Sequence, residues 1–197
     1  MNTEVLMKLP RRILVIDDNP LIHEDIRKII GSANRRDELA EAATLLFGDE
    51  PQKETGEDFK VEMDSAHQGQ EGVALLKKSL AEERPYMMAF VDMRMPPGWD
   101  GIETIQNLWK VSPQLQVVIC TAYSDRPWQE INQLLGRSAN LIILKKPFEI
   151  MEVLQLIETL THKWILGKRA EARMGALEKS AEDRGYELVK TREELAV

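Results

Sequence analysis

Four short apolar runs are the first landmarks along the chain: ILVI at 13–16, MMAFV at 87–91, VVIC at 117–120 and LIIL at 141–144. Runs of this length without polar alternation are typical of strands buried on both faces of a parallel sheet. A fifth segment, FKVEMDSA at 59–66, alternates apolar and polar residues. This alternation predicts a strand at the edge of the sheet.

In the connections between the predicted strands, apolar residues recur at the spacing of an α-helix. In the first connection, Ile22, Ile26 and Ile30 recur at i+4, with Asn19 placed as the N-cap and Gly31 at the predicted exit. Three further helical patterns occupy later connections, at 73–80, 102–108 and 131–135. Strands that alternate with helices predict a doubly wound α/β domain with right-handed crossovers. In such a sheet the functional crevice lies beyond the carboxyl ends of the strands.

One connection is too long for a minimal version of this fold. Asp18 and Asp92 are separated by far more than the roughly 45 residues that two helices, one strand and ordinary loops need. We therefore predict an insertion at about 32–58, between the first helix and the second strand. Within it, RDELAEAATLLF predicts a short amphipathic helix and GDEPQKETGED a solvated loop. Surface elaboration and a partner site are both compatible with this insertion, and surface elaboration is the simpler interpretation.

Composition narrows the class of protein. The chain has 197 residues, of which 43% are hydrophobic and 30% charged, with a formal net charge of -7. This is a globular composition, and its acidic balance argues against a nucleic-acid partner. Cys120 is the only cysteine, which excludes an intrachain disulfide and a cysteine-based zinc cluster. We find no stretch that suits a secretory signal or a membrane span, so we expect a cytoplasmic protein without a membrane partner.

Polar side chains follow four of the predicted strands at their carboxyl ends: Asp17 and Asp18, Asp92, Thr121, and Lys145 with Lys146. These ends share one edge of a parallel sheet, so we expect the side chains to converge. Clustered carboxylates repel one another, and Mg²⁺ is the hard dication that oxygen ligands of this kind bind. A magnesium site beside a carboxylate, a hydroxyl and an amine suits phosphoryl transfer, with the carboxylate as the nucleophile that forms an aspartyl phosphate.

The segments ILVIDDNP, VDMRMPPGWDGIETI, VVICTAYS and LIILKKPF resemble, in this order, the four signatures of the receiver domain of two-component response regulators. The resemblance extends from residue 12 to about residue 160. It implies a flavodoxin-like, five-stranded parallel sheet with strand order 2-1-3-4-5. It also implies a regulatory phosphoacceptor domain in a phosphorelay, and not an enzyme.

The same resemblance implies a role for each acidic residue. Asp92 would accept a phosphoryl group from the phosphohistidine of a cognate histidine kinase or phosphotransfer protein. Asp18 and Asp92 would bind Mg²⁺ directly and Asp17 would bind it through water. The backbone carbonyl of Arg94 would complete the protein ligands.

The remaining signature residues would respond to the phosphoryl group. Thr121 would hydrogen-bond to it and Lys146 would pair with its charge, and the Lys146–Pro147 peptide bond is expected to be cis, as in the family. Ile143 occupies the position at which the family often has an aromatic switch residue, so this position is atypical here. We expect His23 to lie on the surface of the first helix.

The chain is predicted to divide into a receiver domain at 1–150 and a long C-terminal helix at 151–197. Apolar or small residues recur in this helix every seven positions, which predicts a coiled coil and a parallel homodimer. The main track and the second track are Val153, Leu160, Gly167, Met174, Ala181, Leu188 and Leu195, and Ile157, Trp164, Ala170 and Leu177. In resembling proteins such a helix leads to a cyclic-di-GMP module or a histidine kinase, so we expect it to transmit a signal to an output domain. The alternative is an interaction module that dimerises without phosphorylation.

Overall fold

The computed structural model describes residues 11–47, 60–122, 128–136 and 138–194, in which five strands alternate with five helices. The strands are β1 (Arg11–Ile16), β2 (Val61–Ala66), β3 (Met88–Asp92), β4 (Gln116–Thr121) and β5 (Leu141–Lys145). The helices are α1 (Pro20–Phe47), α2 (Gly69–Ala81), α3 (Gly101–Val111), α4 (Trp128–Leu135) and α5 (Ile150–Glu194). Neighbouring strands pair in parallel in the order β2-β1-β3-β4-β5. The predicted fold class and strand order are therefore confirmed.

The central strands are buried on both faces, as their uninterrupted apolar runs predict. Along β1, Leu14 and Ile16 pack into one core cluster with α2, α3 and α4, whereas Ile13 and Val15 pack into a second cluster with α1 and α5. Cys120 on β4 belongs to the second cluster, and burial raises the pKa of its thiol to about 12. All five strands run in the same direction, so their carboxyl ends form one edge.

Helix α1 is longer than the sequence pattern predicts. It runs without a break for 28 residues, so the predicted exit at Gly31 and the separate short helix after it are wrong. A glycine inside a helix costs only about 1 kcal/mol relative to alanine. The Ala-, Leu- and Glu-rich segment that follows favours helix strongly enough to offset that cost. The predicted solvated loop at 48–58 lies outside the described residues.

The added length of α1 places Asn34 beside the edge of the sheet. Among the described residues, strand β2 pairs only with β1, and an edge strand presents backbone groups that lack a ladder partner. The side-chain amide of Asn34 donates to the Val61 carbonyl at 3.1 Å, and its Oδ1 accepts from the Val61 N–H at 3.2 Å. One side chain therefore satisfies both backbone groups at the start of β2.

Replacing Asn34 by alanine is expected to lower the free energy of unfolding by about 1–2 kcal/mol, because two hydrogen bonds to the buried Val61 backbone are lost. Urea denaturation measures this difference. Asn107→Ala is a matched control, because Asn107 is also partly buried but its side-chain hydrogen bonds stay within α3: its amide donates to the Glu103 carbonyl, and its Oδ1 accepts from Lys110. Both substitutions gain the helix propensity of alanine. Equal stability of the two variants would mean that solvent replaces Asn34 at the sheet edge.

Helix α5 is continuous over 45 residues, and the chain divides between Trp164 and Ile165 into two compact units. In the unit that ends at Trp164, the side chains of Val153, Ile157 and Leu160 pack into the core and are at most 2% exposed. Their assignment to a coiled-coil seam is therefore wrong, because the sheet already covers them. The heptad pattern does not distinguish a stripe that packs on a sheet from one that packs on a second helix. The domain boundary after residue 150 stays a prediction.

Candidate functional site

Three acidic side chains meet at the carboxyl ends of two neighbouring strands. Asp17 and Asp18 follow β1, and Asp92 is the last residue of β3, which pairs with β1. One carboxylate oxygen from each residue lies within 4.8 Å of the other two. Asp17 is 2% exposed and Asp92 is 9% exposed, whereas Asp18 is open to solvent. The parallel sheet thus brings together carboxylates that are far apart in sequence.

Lys146 bridges two of these carboxylates. Its Nζ donates to Asp17 Oδ2 at 2.6 Å and to Asp92 Oδ1 at 2.6 Å. The other oxygen of each carboxylate accepts a backbone hydrogen bond. The Asn19 N–H donates to Asp17 Oδ1 at 2.9 Å, and the Arg94 N–H donates to Asp92 Oδ2 at 2.9 Å. Both carboxylates are therefore held in a fixed orientation.

Burial and charge act in opposite directions on the pKa values of this pair. Burial raises the pKa of the Asp92 carboxyl above its usual value, Lys146 lowers it through a hydrogen bond and its charge, and the charge of Asp17 raises it. For Lys146, burial lowers the pKa, but its contacts with Asp17 and Asp92 outweigh burial and the net pKa is raised. The ammonium group is therefore charged at neutral pH and offsets part of the charge of the cluster.

The loop after Asp92 contains a requirement that the motif alone does not reveal. Asp100 caps α3, because its Oδ1 accepts from the Glu103 N–H at 2.8 Å. Gly101 follows, and its N–H donates to the Met93 carbonyl at 3.0 Å. A Cβ at position 101 would lie 2.6 Å from the Asp92 carbonyl oxygen, closer than real contacts allow. Glycine at the start of α3 therefore lets the helix approach the backbone of Asp92.

The other signature residues occupy the ends of β4 and β5. Thr121 ends β4 and is 6% exposed, and its carbonyl accepts from the Lys146 N–H at 2.8 Å. Ile143 on β5 is partly buried and packs against the core cluster that includes α2, α3 and α4. Lys145 is exposed, whereas the side chain of Lys146 is directed into the acidic cluster. The Lys146–Pro147 bond is cis, as the resemblance implies.

His23 is the residue that sequence reasoning misplaced. The prediction of a surface position is wrong, because His23 is 3% exposed and its Nε2 lies 2.7 Å from the Asp17 carbonyl oxygen. The helical period contains the signal for this burial: His23 precedes Ile26 by three residues and Ile30 by seven, and both isoleucines are in the core. A histidine on the buried stripe of α1 is therefore directed toward the end of β1.

This arrangement has two chemical capacities. Three carboxylate oxygens in close proximity form the donor set that a hard divalent cation such as Mg²⁺ binds. An ammonium group against one of these carboxylates can also pair with an added anionic group. Cation binding beside a nucleophilic carboxylate is the combination that phosphoryl transfer requires.

Comparison with known families agrees with this chemistry. The family model described as the response regulator receiver domain matches residues 52–158, more than half of the chain. The chain belongs to the receiver domain family of response regulators. The match begins after β1 and α1, so it does not include Asp17 and Asp18. In the receiver fold, β1 pairs with β3 and brings both residues to Asp92.

Solved structures have the same fold. An adenylate cyclase structure from Rhodopirellula baltica is 22% identical over 85% of this chain and 98% of its own, with a TM-score of 0.59. A CheY-like receiver domain from Methanospirillum hungatei JF-1 is 19% identical over 79% of this chain and 96% of its own, with a TM-score of 0.53. The CheX-CheY-BeF3-Mg complex from Borrelia burgdorferi matches with 19% identity, 81% and 93% coverage and a TM-score of 0.52.

Comparison with curated proteins finds no significant similarity to this receiver chain. Within the described residues, no helix combines the length and the apolar character that crossing a bilayer requires.

Proposed function

We propose that this receiver domain takes a phosphoryl group on Asp92 from the phosphohistidine of a cognate histidine kinase or phosphotransfer protein. A carboxylate oxygen of Asp92 forms a bond to phosphorus, and the phosphorus–nitrogen bond of the donor breaks. The electron pair of that bond returns to the histidine nitrogen, which takes up a proton. The product on this chain is an aspartyl phosphate.

The position of Asp92 is the observation that carries this proposal. Its carboxylate ends a buried strand, contacts the Lys146 ammonium at 2.6 Å and belongs to a cluster with Asp17 and Asp18. An acidic residue at such a place costs stability unless it is paired. A role as phosphoryl acceptor accounts for its nearly buried place among two other acids and a lysine.

Magnesium is the cofactor in this proposal. Asp17, Asp18 and Asp92, together with the backbone carbonyl of Arg94, are the residues that would hold Mg²⁺. When bound, the ion neutralises negative charge on the transferred phosphoryl group.

The switch residues have separate roles in the proposal. Lys146 pairs with the charge of the phosphoryl group, and the Thr121 hydroxyl donates a hydrogen bond to it. Ile143, where the family often has an aromatic residue, provides no large ring to move with Thr121.

Phosphorylation in the presence of Mg²⁺ tests the proposed function. The purified chain, incubated with Mg²⁺ and acetyl phosphate, is expected to gain one phosphoryl group by intact-mass spectrometry. Hydroxylamine should remove this group, because it cleaves acyl phosphates. A matched reaction in excess EDTA is expected to give no label. Labelling that is equal with and without EDTA would contradict the magnesium part of the proposal.

Helix α5 is the proposed route of the signal. Phosphorylation adds about two negative charges beside Lys146, and α5 begins at Ile150, only a short segment beyond that lysine. A shift of Lys146 toward the phosphoryl group changes the charge balance at the entry to α5 and moves the population between two states of the helix. The chain then acts in the cytoplasm as a regulatory phosphoacceptor domain, and catalysis belongs to its partners.

A second copy of the chain is the proposed partner of the C-terminal part of α5. In the compact unit that contains the helix from Ile165 onward, Leu166 is 48% exposed, Met174 is 62% exposed and Leu177 is 63% exposed. Met174 and Leu177 are three residues apart and lie on the same face of the helix. Exposed apolar residues at this spacing support a parallel homodimer through the segment after residue 165.

The double substitution Met174→Glu with Leu177→Glu is expected to weaken the homodimer by about a hundredfold or more, because burying each of the two side chains contributes about 1.5–3 kcal/mol. Analytical ultracentrifugation over a concentration series measures the dissociation constant. Leu80→Glu on α2, where the leucine is 38% exposed, provides a matched control. An unchanged dissociation constant in the double variant would contradict the dimer through this face.

A further inference from the structure

His23 makes one directed contact with the candidate metal site. Its Nε2 lies 2.7 Å from the backbone carbonyl oxygen of Asp17, and His23 is 3% exposed. A carbonyl oxygen only accepts hydrogen bonds, so Nε2 must carry the proton and donate it. The contact runs from the first turn of α1 back to the end of β1.

The accepting carbonyl belongs to the peptide group between Asp17 and Asp18. A peptide group is planar, so a hydrogen bond that fixes this carbonyl also fixes the orientation of the N–H of Asp18. The other groups of Asp17 are held by separate contacts. Its N–H donates to the Ala66 carbonyl at 3.1 Å, and its carboxylate contacts Lys146. His23 therefore holds the one group that links the two consecutive acidic residues.

The surroundings of the His23 ring indicate that the hydrogen bond, and not packing, is what histidine adds at this position. The ring packs against His67, with 4.6 Å between the ring centroids. The other ring nitrogen, Nδ1, is buried and has no hydrogen-bond partner among the described residues. Burying a polar atom without a partner is unfavourable, and an apolar side chain would fill the same space without that penalty. The donor at Nε2 is the compensating feature.

We propose that His23 is a positioning residue that holds the Asp17–Asp18 peptide group in the orientation that Mg²⁺ binding requires. This inference rests on the proposed function, because it assumes that Asp17 and Asp18 hold Mg²⁺. Groups that orient metal ligands typically change metal affinity by about 10–100-fold when they are removed. His23 acts through the backbone, so we expect the lower end of that range.

Two substitutions separate the hydrogen bond from packing. His23→Phe keeps an aromatic ring against His67 but removes the donor, whereas His23→Gln keeps an N–H donor at a similar reach but removes the ring. His162→Gln on α5 is the matched control, because His162 is exposed. Each full-length variant is unfolded with urea at one fixed pH, first in EDTA and then at increasing MgCl2 and constant ionic strength. The rise in unfolding free energy with Mg²⁺ gives the affinity, while the EDTA value gives the stability of the fold.

The positioning role predicts that His23→Phe binds Mg²⁺ about tenfold more weakly than the wild type and that His23→Gln stays within about threefold. His162→Gln should be unchanged. A packing role predicts instead that His23→Phe is more stable than His23→Gln in EDTA and that the two variants bind Mg²⁺ equally well, and that result would overturn the inference. If the Phe variant does not fold, tenfold weaker binding by the Gln variant overturns it as well. If the wild type itself is not stabilised by Mg²⁺, the proposed magnesium site fails and the inference fails with it.

Discussion

Asp92→Asn is expected to abolish labelling of the receiver domain by acetyl phosphate in the presence of Mg²⁺. Asparagine has the size and shape of aspartate, but its amide is not a nucleophile toward phosphorus at neutral pH, so no acyl phosphate forms at this position. The loss should be complete, because the substitution removes the acceptor atom itself. Intact-mass spectrometry before and after hydroxylamine treatment measures the label. Circular dichroism establishes that the variant is folded.

The structure offers a closely matched control for this experiment. Asp100→Asn makes the same substitution in the loop that follows Asp92, at the N-cap of α3. Asparagine caps helices about as well as aspartate, so the helix start is preserved. The Asp100 variant should be labelled like the wild type. Equal labelling of the wild type and the Asp92 variant would sink the assignment of Asp92 as acceptor.

Much of the site could be predicted from the sequence because its residues directly follow apolar runs that form buried strands. An apolar run of five or six residues has few stable places other than the middle of a parallel sheet. The residue after the run therefore comes to the edge where the other strands end. The apolar runs alone place Asp17, Asp92 and the Lys145–Lys146 pair at this edge, and the family resemblance assigns the contact to Lys146. In the structure Lys146 contacts both carboxylates at 2.6 Å.

The features that could not be predicted depend on competition between packing surfaces. Gly31 has the local signal of a helix end, but the segment after it forms helix and its residue Asn34 gains contacts with the sheet edge. Ile157 has the spacing of a coiled-coil position, but the sheet buries it first. His23 is polar, yet its hydrogen bond to the Asp17 carbonyl compensates its burial. In each case the deciding partner is distant in sequence or is a backbone group.

Lys146→Met is expected to lower the free energy of unfolding in EDTA at pH 7 by about 2–3 kcal/mol. Removing one partner of a buried ion pair typically costs about 3–5 kcal/mol, and the Lys146 side chain is 22% exposed, which reduces the effect. The ammonium contacts both Asp17 and Asp92, so its removal leaves two nearly buried carboxylates without their neutralising charge. Methionine keeps most of the length and apolar contacts of the lysine stem. Urea denaturation measures the difference.

The stability deficit of this variant should depend on pH with a defined sign. Lys146 lowers the pKa of Asp92, so its removal raises a pKa that burial already raises. An acid whose pKa is raised by folding contributes stability below its unfolded pKa of about 4 and loses that contribution as the pH rises through its folded pKa. The deficit should therefore be smallest near pH 4 and should increase toward neutral pH. Denaturation curves between these limits provide the test.

Mg²⁺ should offset part of the stability that Lys146→Met loses. A bound dication replaces the missing positive charge, so Mg²⁺ should stabilise Lys146→Met more than it stabilises the wild type. Lys145→Met is the matched control, because the adjacent lysine is exposed. Its effect should stay within about 0.5 kcal/mol. If the two variants were equally stable in EDTA at pH 7, the ammonium of Lys146 would not be what holds Asp17 and Asp92 together, and their proximity would have to come from the sheet alone.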